Sequence, residues 1–292
     1  MEHRRYRNDS DIKLMRQLIS SLPNAPSVID FEEFIQIQSV QQTTGLWVEA
    51  TNLIAFAYVD DFNNLCFEIT PGFSDPVLEQ EIADLGIDCI KDRINKTGEI
   101  TTLDSSCSAS NPERINLLMR MGFTQQEVRS MKFIRSLADP ISELPLPPGY
   151  RIKCVIGESE VAQLVNLHQA AFGTDNMTVE YRLAMMHAPD YDQSMDWVAC
   201  SPEGNLAAFC IGSIDEEDPG IGYLDPIGTH PAHRRIGLSK AMIAYGLTTL
   251  KSRGVKHVHF GTSSENIPMQ QLALRMGFTL QSESVWFSKE VI

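Results

Sequence analysis

The run Thr229-His230-Pro231-Ala232-His233-Arg234-Arg235-Ile236-Gly237-Leu238-Ser239-Lys240 has the residue types of an anion cradle. It reads as the end of a strand, a tight turn with a glycine, and the start of a helix. The first N–H groups of a helix have no partner inside it and carry a partial positive charge, so a helix start attracts anions. Gly237 lets an anion approach the backbone, and Arg234 and Arg235 add charge. A pyrophosphate would accept N–H bonds from Arg235, Ile236, Gly237, Leu238 and Ser239. Just upstream, Tyr223 and Asp225 alternate along one strand, so both can reach the floor of a cleft beside the turn. A phenol or carboxylate there could take a proton from an ammonium, directly or through water. The bland alternatives are a half-buried strand aromatic for Tyr223 and a turn residue for Asp225, which precedes Pro226. His230 reads as a base, a phosphate contact or a solvated loop residue. Ser213 and Glu216 lie near the preceding hairpin, within reach of an acceptor.

The elements that must hold these residues follow from periodicity. Tyr150 to Ile156 alternates as a first strand, and Glu158 to Phe172 carries an apolar helical face. Asp196 to Cys200 and Leu206 to Ile214 read as paired strands around the turn Pro202-Glu203-Gly204-Asn205. Gly220 to Thr229 is the strand before the cradle. Ile236 to Arg253 is a long helix closed by Gly254, and Val255 to Gly261 is a buried strand. A further helix ends before Gly277, and Phe278 to Lys289 returns as strand. Strands on both sides of the long helix imply a mixed sheet with helices packed on it, an α/β (α+β) fold.

The chain repeats itself. Asn111-Pro112-Glu113-Arg114-Ile115-Asn116-Leu117-Leu118-Met119-Arg120-Met121-Gly122-Phe123 returns as Asn266-Ile267-Pro268-Met269-Gln270-Gln271-Leu272-Ala273-Leu274-Arg275-Met276-Gly277-Phe278. Each copy follows a Ser-rich turn and reads as an Asn-capped helix ending at a glycine. The matched Asn at the same offset points to a tandem duplication. Between the copies, Leu144-Pro145-Leu146-Pro147-Pro148-Gly149-Tyr150 is a stiff, extended connector. The expected organisation is therefore residues 1–140, a linker over 141–149, and residues 150–292.

The order strand, Pro-x-x-Arg-x-x-Gly turn, long helix, Gly-Val, strand, Asn-containing helix, Gly-Phe resembles the GCN5-related N-acetyltransferase (GNAT) superfamily. Its motif is met by Pro231, Arg234, Gly237 and Leu238, with Ser239 where Gly or Ala is usual. The tandem arrangement is similar to two-domain acetyltransferases of the mycothiol synthase type. The resemblance implies an acetyl-CoA-dependent enzyme active in its C-terminal half, with a small amine or amino-terminal acceptor. The open edge of the strand at Ile227, Gly228 and Thr229 would pair with the coenzyme's amide-bearing arm, and a backbone N–H would polarise the thioester. Asn266 would either anchor that arm or simply cap its helix.

Two departures matter. Aligning Pro71 with Pro231 puts Ser74 at Arg234, Val77 at Gly237 and Glu79 at Ser239, with Asp75 in the same turn. Carboxylates there repel a pyrophosphate, so the first half is expected to keep the fold without the coenzyme site, serving architecture or an acceptor-pocket wall. The tyrosine many relatives use as general acid falls at Ala273, and at Leu118 in the first copy. A non-catalytic acyl-CoA-binding protein, or an interaction module with this fold, is thus an alternative. Phe172, Met177, Tyr181, Met185, Met186 and Trp197 lie where the family builds its acceptor pocket.

The remaining composition excludes more than it selects. A net charge of −14 opposes nonspecific nucleic-acid binding. No apolar run approaches the roughly 18 residues of a membrane span, and the N-terminus lacks a signal-peptide core. The six cysteines have no CxxC spacing, which favours reduced thiols and a cytoplasmic setting. His257-x-His259 lacks a third ligand, so no metal is expected. Oligomeric state is not encoded in any of these features.

Overall fold

The computed structural model describes residues 1–22, 31, 34–142, 144–188, 191–215 and 218–291, so Glu216 lies outside the described residues. In chain order the first elements are β1 (Glu2–Arg5), α1 (Asp9–Ser20), α2 (Gln38–Thr43), β2 (Gly45–Glu49), β3 (Asn52–Val59), β4 (Leu65–Ile69), α3 (Pro76–Thr97), β5 (Thr102–Ser108), α4 (Pro112–Arg120) and β6 (Thr124–Ser136). They are followed by β7 (Arg151–Cys154), α5 (Val161–Phe172), α6 (Val179–Met186), β8 (Asp196–Cys200), β9 (Leu206–Ile214) and β10 (Ile221–Thr229). The last are α7 (Leu238–Ser252), β11 (His257–Ser263), α8 (Ile267–Arg275) and β12 (Thr279–Glu290).

The chain divides into two compact units, Met1–Arg129 with Ser284–Ile292, and Ser130–Glu283. This division differs from the halves drawn at the proline-rich connector. β6 and β12 are 13 and 12 residues long, and each begins in one unit and ends in the other. The connector sits inside the second unit, where Ile141, Leu144, Leu146 and Tyr150 pack against its core.

In the first unit β1-β2-β3-β4 form an antiparallel sheet. β5 meets its edge only at the parallel bridge Asn64↔Asp104, and pairs with Ser284–Glu290 of β12. Trp47, Phe67, Ile82, Leu118 and Phe287 fill the core beneath α3 and α4.

In the second unit the strand order is β6-β11-β10-β9-β8-β7, with β6 represented by Ser130–Ser136. All neighbours are antiparallel except β10 and β11, which are parallel. α7 lies on one face over Trp197, Cys210 and Leu224, and α5 covers Val198 and Phe209 on the other. Gly246 inside α7 costs about 1 kcal/mol of helix propensity relative to alanine. A Cβ there would meet Leu224 Cδ2 at 2.7 Å and Trp197 Cζ3 at 3.2 Å, so glycine lets α7 lie close on β10. That contact fixes where the start of α7 stands relative to the end of β10.

The duplication is visible in geometry. The Asn111 side-chain Oδ1 accepts from Arg114 N–H at 3.0 Å, and the Asn266 Oδ1 from Met269 N–H at 3.2 Å. Gly122 and Gly277 end the two helices at φ 82° and 80°. Phe123 N–H then returns to the Leu118 carbonyl and Phe278 N–H to the Ala273 carbonyl, at 3.1 and 3.0 Å.

Candidate active site

The site is built where two parallel strands part. β10 and β11 pair only through Ile221↔His257, Gly222↔Val258 and Tyr223↔His259. Beyond that point β11 continues against β6, while β10 breaks its ladder between Leu224 and Ile227 and resumes pairing with β9 alone. The break is at Asp225-Pro226, whose peptide is cis. Ile227, Gly228 and Thr229 thereby present an edge without a β11 partner, which an extended chain of amides can use. Gly228 is needed for packing, because a Cβ there would run into the Phe209 ring and lie 2.9 Å from Ala171 Cβ.

At the end of this edge the short turn Pro231–His233 leads to the cradle. Arg235 has φ 67° and Gly237 has φ 88°, and Gly237 opens α7 with no side-chain cap. The first intrahelical bond is Ala241 N–H to the Gly237 carbonyl at 3.1 Å. The N–H groups of Leu238, Ser239 and Lys240 therefore have no intrahelical acceptor and form a concave donor set with the turn. A Cβ on Gly237 would meet no protein atom within 4 Å, so the space before the turn is open. Thr229 and Ser239 hydroxyls bond at 2.8 Å, tying the strand edge to the helix start. These features fit a pyrophosphate with an extended amide arm.

The charged and polar residues divide by role. Arg234 is turned into the structure, its Nε donating to the Thr229 carbonyl at 3.2 Å and its Nη2 to the Ala171 carbonyl at 2.8 Å. It braces the turn against the end of α5. Arg235 and Ile236 are exposed at the turn. His230 Nδ1 accepts from Ala232 N–H at 3.2 Å, so its ring caps the turn. The Asn266 side chain caps α8 in the same way.

Asp225 reaches across the gap, and the Gly261 N–H donates to its carboxylate. Asp225 keeps contact with solvent. The protein packed around it pushes the carboxyl up to about 6, against the Gly261 N–H, which lowers it. Its contact with solvent moderates the shift. Tyr223 stands one step before the ladder break, on the face that carries His259; its hydroxyl donates to Asp215 at 3.0 Å, and its ring lies 5.7 Å from that of His259. Ser213 pairs directly with Tyr223. Ala273 is fully buried beside Phe260 and Phe278, so α8 offers no hydroxyl at that position. Of the expected pocket residues, Trp197 and Met177 are core, while Phe172 and Tyr181 are exposed.

Residues 161–278 match the family described as Acetyltransferase (GNAT) family. That stretch runs from the start of α5 to the glycine-phenylalanine step after α8 and contains the whole of the cradle. Curated relatives include a mycothiol acetyltransferase of Kineococcus radiotolerans, 26% identical over 59% of this chain and 57% of the relative. Another is the mycothiol acetyltransferase of Salinispora arenicola, 26% identical over 61% of this chain and 60% of that one. The chain thus spans somewhat over half the length of the curated relatives it matches. A solved GCN5-related N-acetyltransferase from Sphaerobacter thermophilus superposes with a TM-score of 0.77 at 18% identity, over 99% of this chain and 95% of the other. A tandem GNAT protein from the clavulanic acid biosynthesis pathway gives 0.73 at 14% identity, over 100% and 98%. Both share the fold of this chain over nearly its whole length. Among the described residues, no helix is long and apolar enough to cross a membrane.

Gly261, whose N–H meets Asp225, was not singled out in the sequence, where it is only the last residue of the expected strand Val255 to Gly261.

Proposed function

We propose that this chain moves an acetyl group from acetyl-CoA to a small amine or amino-terminal acceptor by direct attack, in the second unit. The observation carrying this reading is the parting of β10 and β11 beside an uncapped α7. The pyrophosphate would rest on the N–H groups of Arg235 to Ser239, and the amide arm along Ile227 to Thr229. The acyl carbon would then lie toward the fork near Asp225. As a carboxylate, Asp225 accepts the proton of the attacking amine, directly or through water. With Ala273 on α8, thiolate departure relies on solvent or on an acid from another element. Residues 1–140 would keep the fold without a coenzyme site, because Asp75 Oδ1 already accepts from Val77 N–H at 2.9 Å at the matching helix start.

A second reading, acyl-CoA binding without catalysis, is favoured by Ala273 alone. Calorimetric titration with acetyl-CoA, followed by thiol release in the presence of amines, separates the two. One site per chain with amine-dependent thiol release is expected. Binding without release would support the second reading, and no binding would overturn both.

A further inference from the structure

The β6–β11 register sets Lys132 opposite Gly261 and Ile134 opposite His259. Side chains alternate along a strand, so Lys132, Ile134, His259 and the missing side chain of Gly261 share one face. Tyr223 pairs with His259 and with Ser213, which brings both onto that face. A Cβ on Gly261 would lie 3.4 Å from Asp225 Oδ2, so the Asp225 carboxylate also stands over this position. Directly opposed Cβ atoms in such a ladder are about 4.5–5.5 Å apart. Gly261 therefore leaves a recess with a carboxylate on one side and the root of Lys132 on the other.

The two charges do not satisfy each other. Lys132 is exposed, its Nζ is 5.9 Å from the centre of the Tyr223 ring, and among the described residues it has no ion pair. Asp225 has the Gly261 N–H and, among the described residues, no cation. The other groups facing the recess are the Tyr223 hydroxyl with its acceptor Asp215, and the His259 ring. His259 is held neutral by burial first, then by Lys132, and Gln281 bonds to it. Its Nδ1 is buried with no partner among the described residues.

We propose that the acceptor is zwitterionic, an α-amino acid or a close derivative. Its amine meets Asp225 and its carboxylate meets Lys132. This rests on the transfer reading above. A simple alkylamine would leave the Lys132 ammonium without a counter-charge, and a second cation on the acceptor would be repelled by it. A charge-assisted contact of this kind distinguishes a carboxylate from its neutral ester by roughly 10- to 100-fold.

The test compares free α-amino acids with their methyl esters, using wild type, Lys132→Gln, Lys132→Glu and Lys132→Arg in the full chain. Thermal shift and calorimetry read acceptor binding with acetyl-CoA present, and thiol release reads turnover. Wild type is expected to prefer the acids by about 10-fold or more in Kd and KM. Lys132→Gln removes the preference, Lys132→Glu reverses it, and Lys132→Arg keeps it, with acetyl-CoA affinity unchanged. Equal binding of acids and esters by wild type overturns the proposal, as does an equal effect of Lys132→Gln on both. An acid preference in binding without any thiol release would leave the recess intact and sink the transfer reading instead.

Discussion

Replacing Gly237 by alanine separates the two functions of the cradle. At φ 88° and ψ 5° the residue is in the left-handed region, which costs a non-glycine residue about 1–2 kcal/mol. A Cβ would meet no protein atom within 4 Å, so no packing cost is added. For a protein of this size each kcal/mol lowers Tm by roughly 2–4 °C. The variant should therefore fold and melt only a few degrees early. Its methyl group would stand in the open space where a phosphate must approach the donor set. Losing one charge-assisted N–H bond, worth about 1.5–3 kcal/mol, weakens acetyl-CoA binding on the order of 10- to 100-fold. Gly98 is the control, with φ 75° at the end of α3 and the same empty surroundings. Gly98→Ala should lower Tm similarly and leave affinity alone. Calorimetry beside thermal melts gives both numbers. Unchanged affinity in Gly237→Ala would refute the cradle, and a collapse in Tm would refute the open space.

Two further outcomes follow from the same geometry. Asp225 works as a base only when ionised, so kcat/KM should fall as pH drops through about 6, and Asp225→Asn should lose that limb along with about 10²–10⁴ in rate. Because its folded pKa is raised, Asp225 costs stability as pH rises from about 4 to 6. The Asn variant should therefore gain a little stability above that window, less than about 1 kcal/mol given the contact of Asp225 with solvent, and none below it; a variant destabilised at pH 8 would contradict this. A fragment of residues 150–292 lacks Ser130–Ser136, which lines the whole of β11, and the buried Phe133 and Leu137. Loss of a core phenylalanine alone costs about 3–5 kcal/mol, so this fragment should show no cooperative melt, while residues 130–283 should melt cooperatively.

What the sequence made legible was local. The turn from Pro231 to Ser239, the caps at Asn111 and Asn266, and the glycines closing α4 and α8 each depend on a few adjacent residues. The structure has them all. The unit boundary was not legible, because it depends on which strand Ser130–Ser136 pairs with, and β-pairing is set by distant partners. The charge of Arg234 beside the turn is legible in sequence, but its bonds to the Thr229 and Ala171 carbonyls are not, because Ala171 is 63 residues away and only the packing of α5 brings it to the turn. Lys132 and Asp225 are far apart in sequence, and only the register of β6, β11 and β10 brings them to one recess.

The two matched helix starts differ in electrostatic character although each follows the end of a strand. Both α3 and α7 start just beyond a strand end, and both therefore offer unpartnered N–H groups. In α7 the opening residue is a glycine with no side chain to give. In α3 the Asp75 carboxylate takes the Val77 N–H itself, and Pro76 removes another donor. The neighbouring Glu79 is held by Arg120 at 2.8 Å, and Arg114 stacks on Phe67 at 3.6 Å. A cavity of about 510 Å³ remains there, lined by Glu68, Asp75, Glu79, Arg114 and Arg120. Space alone thus does not make an anion site. A ligand's phosphate would have to displace a carboxylate already bonded to the helix start, whereas at Gly237 it would displace only water. The difference lies in one side chain at each cap, which is why the alignment of the two turns says more about where an anionic ligand could bind than the shared fold does.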